Sequence, residues 1–227
     1  MSSLTLYYAP GSCALVPHAL LTHLSLPFTT VLVKPGPDGL APADGSLTPA
    51  QYRATIHHAG YVPALKLDDG EVITEMPAIL SYIALLSSGT EEGSALLGKS
   101  SLEQARVSEW LAWLSGTLHG NGFGMLFRPA RFSSDASAHD SIKEQGVKVV
   151  EKCFRRINER LAGREFAVGD ALTVVDFNLY VFARWWVEFL GKDLKEYPEY
   201  VRFCAGMEQV EGVKKAVQEH GKEVLFQ

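Results

Sequence analysis

Cysteine is scarce. Only Cys13, Cys153 and Cys204 occur in 227 residues, an odd number too widely spread for a disulfide framework, so a reducing compartment is expected. Basic patches are absent too: 21 Lys+Arg stand against 26 Asp+Glu for a net charge of −5, and no stretch gathers enough cations to track phosphates, which argues against nucleic acid as a partner. Long apolar runs are missing. The longest, such as Ile79 to Leu86, fall far short of the ~20 residues that span a bilayer, and no charged segment leads into an apolar one near the start. A cytoplasmic protein working away from membranes is the expectation. Seven His, two of them adjacent at His57 and His58, share no ligand spacing and are joined by no Cys or Asp cluster, so no metal is expected. A dithiol redox site needs a second Cys three residues after Cys13, and that position is Val16.

What is present is an ordinary globular composition, 47% apolar and 21% charged, with Gly 20 and Pro 11. Leu4 to Tyr8 is β-rich and ends at Pro10-Gly11; Ala14 to Leu24 is apolar at helical spacing; Phe28 to Val33 is β-branched again, which together predict a β-α-β unit. Pro17 is tolerated because a helix opening at Ser12 or Cys13 leaves its first N–H groups without intrahelical acceptors. A loop rich in Pro, Gly and Asp is expected from about Pro35 to Pro49. Ala64 to Leu67 and Glu71 to Thr74 then flank Asp68-Asp69-Gly70, a hairpin signal, and a helix with Pro77 in its first turn follows through Leu86. Residues 87 to 98 read as a linker, and no strand of comparable quality follows. Leu102 to His119 opens with a capping-box spacing of Ser101 and Gln104, Ile142 to Leu161 is amphipathic, and Thr173 with Asp176 opens Val174 to Leu190. The expected architecture is a small α/β domain over residues 1–86 joined to an all-α domain over 99–222. Glu223 to Gln227 resemble the stub of a viral-protease cleavage tag and are left out of this reading.

Chemistry-bearing residues fall in pieces of the first domain. The turn Tyr8-Ala9-Pro10-Gly11-Ser12-Cys13 puts a hydroxyl and a thiol at an expected helix start, where a thiolate is stabilised. On spacing alone, a capping Ser12 and a small core Cys13 read as well. Tyr61-Val62-Pro63-Ala64 places a proline just before a strand, where a cis bond can present a backbone N–H and C=O to an extended peptide; an ordinary trans turn is the alternative. Glu75-Met76-Pro77 puts a carboxylate at a helix start, suited to an ammonium, while the free N–H groups suit a carboxylate. A Glu that merely complements the dipole fits equally. The aromatic residues Trp110, Trp113, Phe182, Trp185, Trp186 and Phe189 recur at helical intervals and read first as core.

In this order the motifs resemble the glutathione transferase family over nearly the whole chain. Leu6-Tyr7-Tyr8-Ala9-Pro10-Gly11-Ser12-Cys13 with Pro17-His18 is similar to the beta class and its fungal relatives, and Val62-Pro63-Ala64-Leu65 with Asp68 through Glu75 resembles the family's glutathione-binding strands. In the helical half, Trp110-Leu111 through His119, Val168-Gly169-Asp170 with Thr173 to Asp176, and Arg184-Trp185 agree. The resemblance implies a thioredoxin-like domain that holds glutathione, a helical domain that supplies an electrophile pocket, and a homodimer.

Carried onto this chain, it implies that Val62 pairs its backbone with the cysteinyl part of glutathione, that Pro63 is cis, and that Glu75 and the Met76 backbone hold the γ-glutamyl end. Ser12 or Cys13 faces the sulfur, with Ser12 favoured as the stronger donor. Tyr8 counts among the glutathione contacts, and His119 is expected to approach the sulfur from the helical domain. The chain departs from the family at Met76, where Ser or Gly is usual, and at His57-His58-Ala59, which replaces Asn-Pro-Lys and leaves Lys34 or a histidine such as His58 as the anchor of the glycyl carboxylate. Gly120 to Gly124 reads as a helix break that loosens the electrophile pocket, or as a plain loop. The implied activity is addition of the glutathione thiolate to an electrophile such as a conjugated alkene, with a fungal specialised-metabolite role suggested by the resemblance. The alternatives are cis/trans isomerisation by addition, rotation and elimination, with His119 at an ordinary pKa of ~6.5 moving the proton, thiol reduction through Cys13, and a non-catalytic binding protein.

Overall fold

A computed structural model describes residues 4–90 and 93–226. Residues 1–3, Glu91 and Glu92 of the expected linker, and Gln227 of the expected stub lie outside the described residues. The described residues divide into two compact units, one formed by residues 4–90, 93–96 and 207–225, the other by 97–206 with Phe226.

In the first unit, β1 (Leu4–Tyr8), α1 (Leu15–His23) and β2 (Phe28–Gly36) form the expected β-α-β unit, with β1 and β2 parallel and Tyr8 opposite Leu32. Helix α1 starts later than expected. Residues 12 to 16 instead close tight turns, Leu15 N–H donating to Ser12 O and Val16 N–H to Cys13 O, so Pro17 still falls in the first helical turn. The expected Pro/Gly loop is not featureless: Gly39–Pro42 forms β3, a hairpin on β2, and Pro49–Thr55 forms α2. Its Thr48 and Gln51 make a reciprocal capping box, a sequence signal that the turn residues around it obscured. The antiparallel hairpin β4 (Ala64–Lys66) and β5 (Val72–Ile73) and the helix α3 (Met76–Leu86) lie where expected. The sheet order β3-β2-β1-β4-β5 is that of a thioredoxin-like domain, with β1 central and Leu4 and Leu6 buried.

The second unit is helical: α4 (Ser101–Trp113), a π-helical segment (Leu114–Phe123), α5 (Gly124–Phe127), α6 (His139–Leu161), α7 (Val174–Glu188) and α8 (Pro198–Met207), whose last residue counts with the first unit. The N-cap of α4 is Ser100, not Ser101; its Oγ accepts from Glu103 N–H at 3.2 Å. The capping box of α7 is as expected, Thr173 N–H and Oγ1 both donating to Asp176. Nearly every residue of α7 is buried, including the polar Asp176, Asn178 and Arg184.

The glycines at 120–124 do not break the helix. The backbone widens into a 10-residue π-helix and continues as α5. A Cβ on Gly122 would stand 2.9 Å from Val150 Cγ2, and one on Gly146 would stand 2.9 Å from Met125 Cβ, so these glycines let the π-helix and α5 press onto α6 rather than loosen a pocket.

The domain division also differs from the expected one. The last helix α9 (Glu211–Glu219) belongs to the first unit, where it packs on α1. A Cβ at Gly212 would meet the His23 backbone at 2.6 Å, so this glycine sets how closely α9 approaches. The stub-like residues are not set apart either: Leu225 N–H donates to the buried Glu208 carboxylate at 2.7 Å, and the buried Phe226 sets its ring 6.2 Å from Tyr180. Among the described residues no helix is long and apolar enough to cross a membrane.

Candidate active site

Strand directions gather the candidates of the first unit at one end of its sheet. The Ala9–Cys13 turn leaves the C-terminal end of β1. Strand β4 runs antiparallel to β1 with Ala64 opposite Tyr7, so Val62-Pro63 enters at that same end; β5 runs antiparallel to β4 and delivers Glu75 there. Parallel β2 carries Lys34 two residues past the Leu32–Tyr8 pair, to the same end again.

The hydroxyl and thiol of the turn are both engaged. Ser12 Oγ–H donates to Ala9 O at 2.7 Å while the oxygen accepts from Ala14 N–H at 3.2 Å, so the serine braces its own turn and does not cap α1, whose N-cap is Ala14 with no side-chain bond. Cys13 is buried, and its thiol reaches Val62 O at 3.6 Å. The expected helix start at Ser12–Cys13 is thereby corrected to a hydrogen-bonded turn ahead of α1, closed by Gly11 at φ 72°, a left-handed conformation suited to glycine.

The Val62-Pro63 bond is cis. With the Val62 carbonyl accepting from Cys13, its N–H meets no acceptor among the described residues. Tyr52, which the sequence reading missed, fixes this segment: fully buried on α2, it donates its hydroxyl to Tyr61 O at 2.8 Å, and burial holds its phenol well above the ordinary value. Its signal was the α2 capping box.

Glu75 precedes α3 at φ 68°, ψ 122°, with its side chain exposed and its carbonyl accepting from Ile79 N–H at 3.0 Å. A non-glycine residue at such a φ is costly and clusters at functional sites. Met76 buries its side chain and, as the first helical residue, offers only its N–H. Of the two histidines nearby, His57 is buried and spends Nδ1 on Ala59 N–H at 3.2 Å; burial, then the charge of His58, lowers its pKa, against the opposing pull of Glu75. His58 is exposed and stacked on His57 with ring centroids 5.2 Å apart, and Lys34 is exposed as well. Either remains able to meet a carboxylate.

Tyr8 departs from its expected place. Side chains alternate along β1, so Tyr7 faces Tyr52 with ring centroids 5.7 Å apart while Tyr8 turns to the other side, its ring 5.0 Å from His220 and 5.9 Å from His18.

In the helical unit, His119 sits in the π-helix against Trp185 and Phe182, with ring centroids at 5.1 and 5.8 Å. Burial first, then the positive charges of Arg128 and Arg131, lower its pKa to about 4. The ordinary imidazole pKa expected for a proton shuttle is therefore corrected: this histidine is neutral at pH 7. Trp110, Trp185, Trp186 and Phe182 are core, as expected, whereas Phe189 is half exposed and stands edge-on to Phe127, itself packed on Trp185.

A thioredoxin-like sheet with an acid at a helix start, followed by a helical unit, defines a two-part α/β and all-α class of fold. The family models for the glutathione S-transferase N-terminal domain and C-terminal domain match residues 11–86 and 124–211, and the chain belongs to this family. It is 31% identical over 180 residues to glutathione S-transferase GstA of Escherichia coli O157:H7, covering 79% of this chain and 81% of the relative. Among solved structures it is similar to a sphingomonad glutathione S-transferase complexed with glutathione, at 30% identity and TM-score 0.79 over 96% and 98% of the two chains. The beta-class glutathione S-transferase of Sphingomonas chungbukensis gives 28% identity and TM-score 0.79 over the same shares.

Proposed function

We propose that the protein is a glutathione transferase that binds glutathione at the C-terminal end of β1 and adds its thiolate to a planar, conjugated electrophile. The observation that carries this reading is the arrival of Ser12, Cys13, Val62 and Glu75 at one end of the sheet, with Glu75 held at a positive φ before α3. The Val62 N–H pairs with the cysteinyl backbone, the Glu75 carboxylate binds the γ-glutamyl ammonium, and the Met76 N–H at the positive end of α3 binds its carboxylate. His58 or Lys34 meets the glycyl carboxylate.

Catalysis here consists of making a thiolate near neutral pH and holding it in place. Hydrogen bonds to the charged sulfur lower its pKa. Ser12 supplies the stronger one: exchanging Ala9 O for a thiolate trades a neutral acceptor for a charged one, whereas the S–H of Cys13 is a weak donor. A planar electrophile is supported by the half-exposed rings of Phe127 and Phe189 beside Trp185 in the helical unit. A His119 neutral at pH 7 is a poor proton source, so the carbanion left when the thiolate adds to an alkene takes its proton from water. The working form is proposed to be a homodimer, checked by light scattering as twice the chain mass.

The test is calorimetry with glutathione, followed by product analysis with a chromogenic halonitroarene and with conjugated alkenes. Binding and stable adducts support the reading. Altered alkene geometry without glutathione consumption gives the isomerase instead, a mixed disulfide at Cys13 after exposure to oxidised glutathione gives the reductase, and no binding leaves a fold without this chemistry.

A further inference from the structure

Two buried histidines on α1 and at the end of α9 are used by nothing described so far. Gly11 N–H donates to His220 Nδ1 at 3.3 Å, His220 Nε2 lies 3.1 Å from His18 Nδ1, and His18 Nε2 lies 2.7 Å from Glu219 Oε2. Both imidazoles are 2% exposed. A backbone N–H can only donate, so Nδ1 of His220 accepts and, in a neutral ring, the proton sits on Nε2. That proton is given to His18 Nδ1, which leaves the His18 proton on Nε2, facing the Glu219 carboxylate. One arrangement of protons therefore satisfies every bond from Gly11 to Glu219. Tyr8 packs against both rings and Phe28 against that of His18, while the Glu219 end of the chain of bonds is 44% exposed.

We propose that His220 is a positioning residue for thiolate formation, holding the Gly11–Cys13 turn by its backbone while His18 and Glu219 hold its tautomer. The position is built by the end of α9. His220 closes that helix, its N–H donating to Ala216 O, and Gly221 at φ 66° turns the chain away. Gly212 brings the helix close enough to α1 for the imidazole to pass under the turn. Glu219 is the charged group bonded to His18, and Lys215 of the same helix is the cation that acts on it. The role assigned to His220 rests on the reading that the Gly11–Cys13 turn activates glutathione; the bond network itself does not.

The tests separate the two. Imidazole nitrogen NMR of the unaltered protein at neutral pH is expected to show His18 and His220 as neutral Nε2–H tautomers, and an Nδ1–H tautomer or an imidazolium at His220 overturns the network without reference to glutathione. His220→Asn keeps an acceptor close to the place of Nδ1, whereas His220→Gln places its amide where Nε2 was and loses the Gly11 bond. With the halonitroarene as electrophile, His220→Gln is expected to lower kcat about tenfold with little change in KM for glutathione and to raise the apparent pKa of the bound thiol, read from thiolate absorbance. His220→Asn is expected to restore both to within about threefold of the parent. Equal behaviour of the two variants, or an unmoved thiol pKa in His220→Gln, overturns the proposal. Should the unaltered protein bind no glutathione, the underlying reading fails while the NMR result on the network stands.

Discussion

Replacing Ser12 or Cys13 by alanine separates the roles of two adjacent side chains. Ser12→Ala removes the hydroxyl that donates to Ala9 O at 2.7 Å and accepts from the buried Ala14 N–H at 3.2 Å. At about 0.5–1.5 kcal/mol net for each bond, the fold loses roughly 1–3 kcal/mol, a fall in Tm of about 2–12 °C for a chain of this size. The catalytic loss is separate. A hydrogen bond to a charged group contributes about 1.5–3 kcal/mol; after subtracting about 1 kcal/mol for giving up the Ala9 carbonyl, the net is about 0.5–2 kcal/mol, or roughly 2- to 30-fold in the single-turnover rate. Cys13→Ala removes a weak contact at 3.6 Å and a small buried sulfur. It costs about 1 kcal/mol of stability and is expected to leave the rate within about threefold. Stopped-flow absorbance of the bound thiolate, with urea unfolding of each variant, reads both quantities. An inactive Cys13→Ala beside an active Ser12→Ala refutes the reasoning and moves thiolate stabilisation to the cysteine.

Glu75→Ala leaves the ligand's ammonium without its charge partner and should weaken glutathione binding by on the order of 2 kcal/mol, about 30-fold by calorimetry; unchanged affinity contradicts the assignment. Glu75→Gly should bind as poorly yet unfold later, gaining roughly 1 kcal/mol, because glycine relieves the φ of 68° at a small entropic cost. A lower Tm for this variant would show that the backbone there is not strained. Stability should fall as pH drops from 6.5 toward 4: His119 has a folded pKa of about 4, so the unfolded chain binds its proton first. The lowered pKa values of His18 and His57 act in the same direction. His119→Leu should retain about 3 kcal/mol of the stability that the parent loses over that window, and an unchanged slope in urea unfolding against pH would rule out His119 as its source. Gly212→Ala should cost about 2 kcal/mol or more, since its methyl would meet the His23 backbone at 2.6 Å; a wild-type urea midpoint would mean that α9 can shift without loss.

The amino-acid sequence by itself determined what depends on neighbours along the chain. The hairpin at Asp68-Asp69-Gly70, the Thr173–Asp176 cap and the strand from Leu4 to Tyr8 are local, and local chemistry placed them correctly. The order of motifs from Tyr8 to Asp176 identified the family for the same reason. Local signals failed where two of them competed: turn residues around 35–49 concealed β3 and the capping box of α2, and the glycines at 120–124 read as a break. Only the tertiary structure decided those glycines, because Gly122 and Gly146 answer to atoms across a helix interface that no spacing encodes. It alone decided that Tyr8 belongs to His18 and His220 and that burial and two arginines make His119 a neutral group, since a pKa is set by surroundings rather than by residue type. The bond from Gly11 to His220 joins residues 209 positions apart; nothing local requires it, and the packing of α9 on α1 makes it.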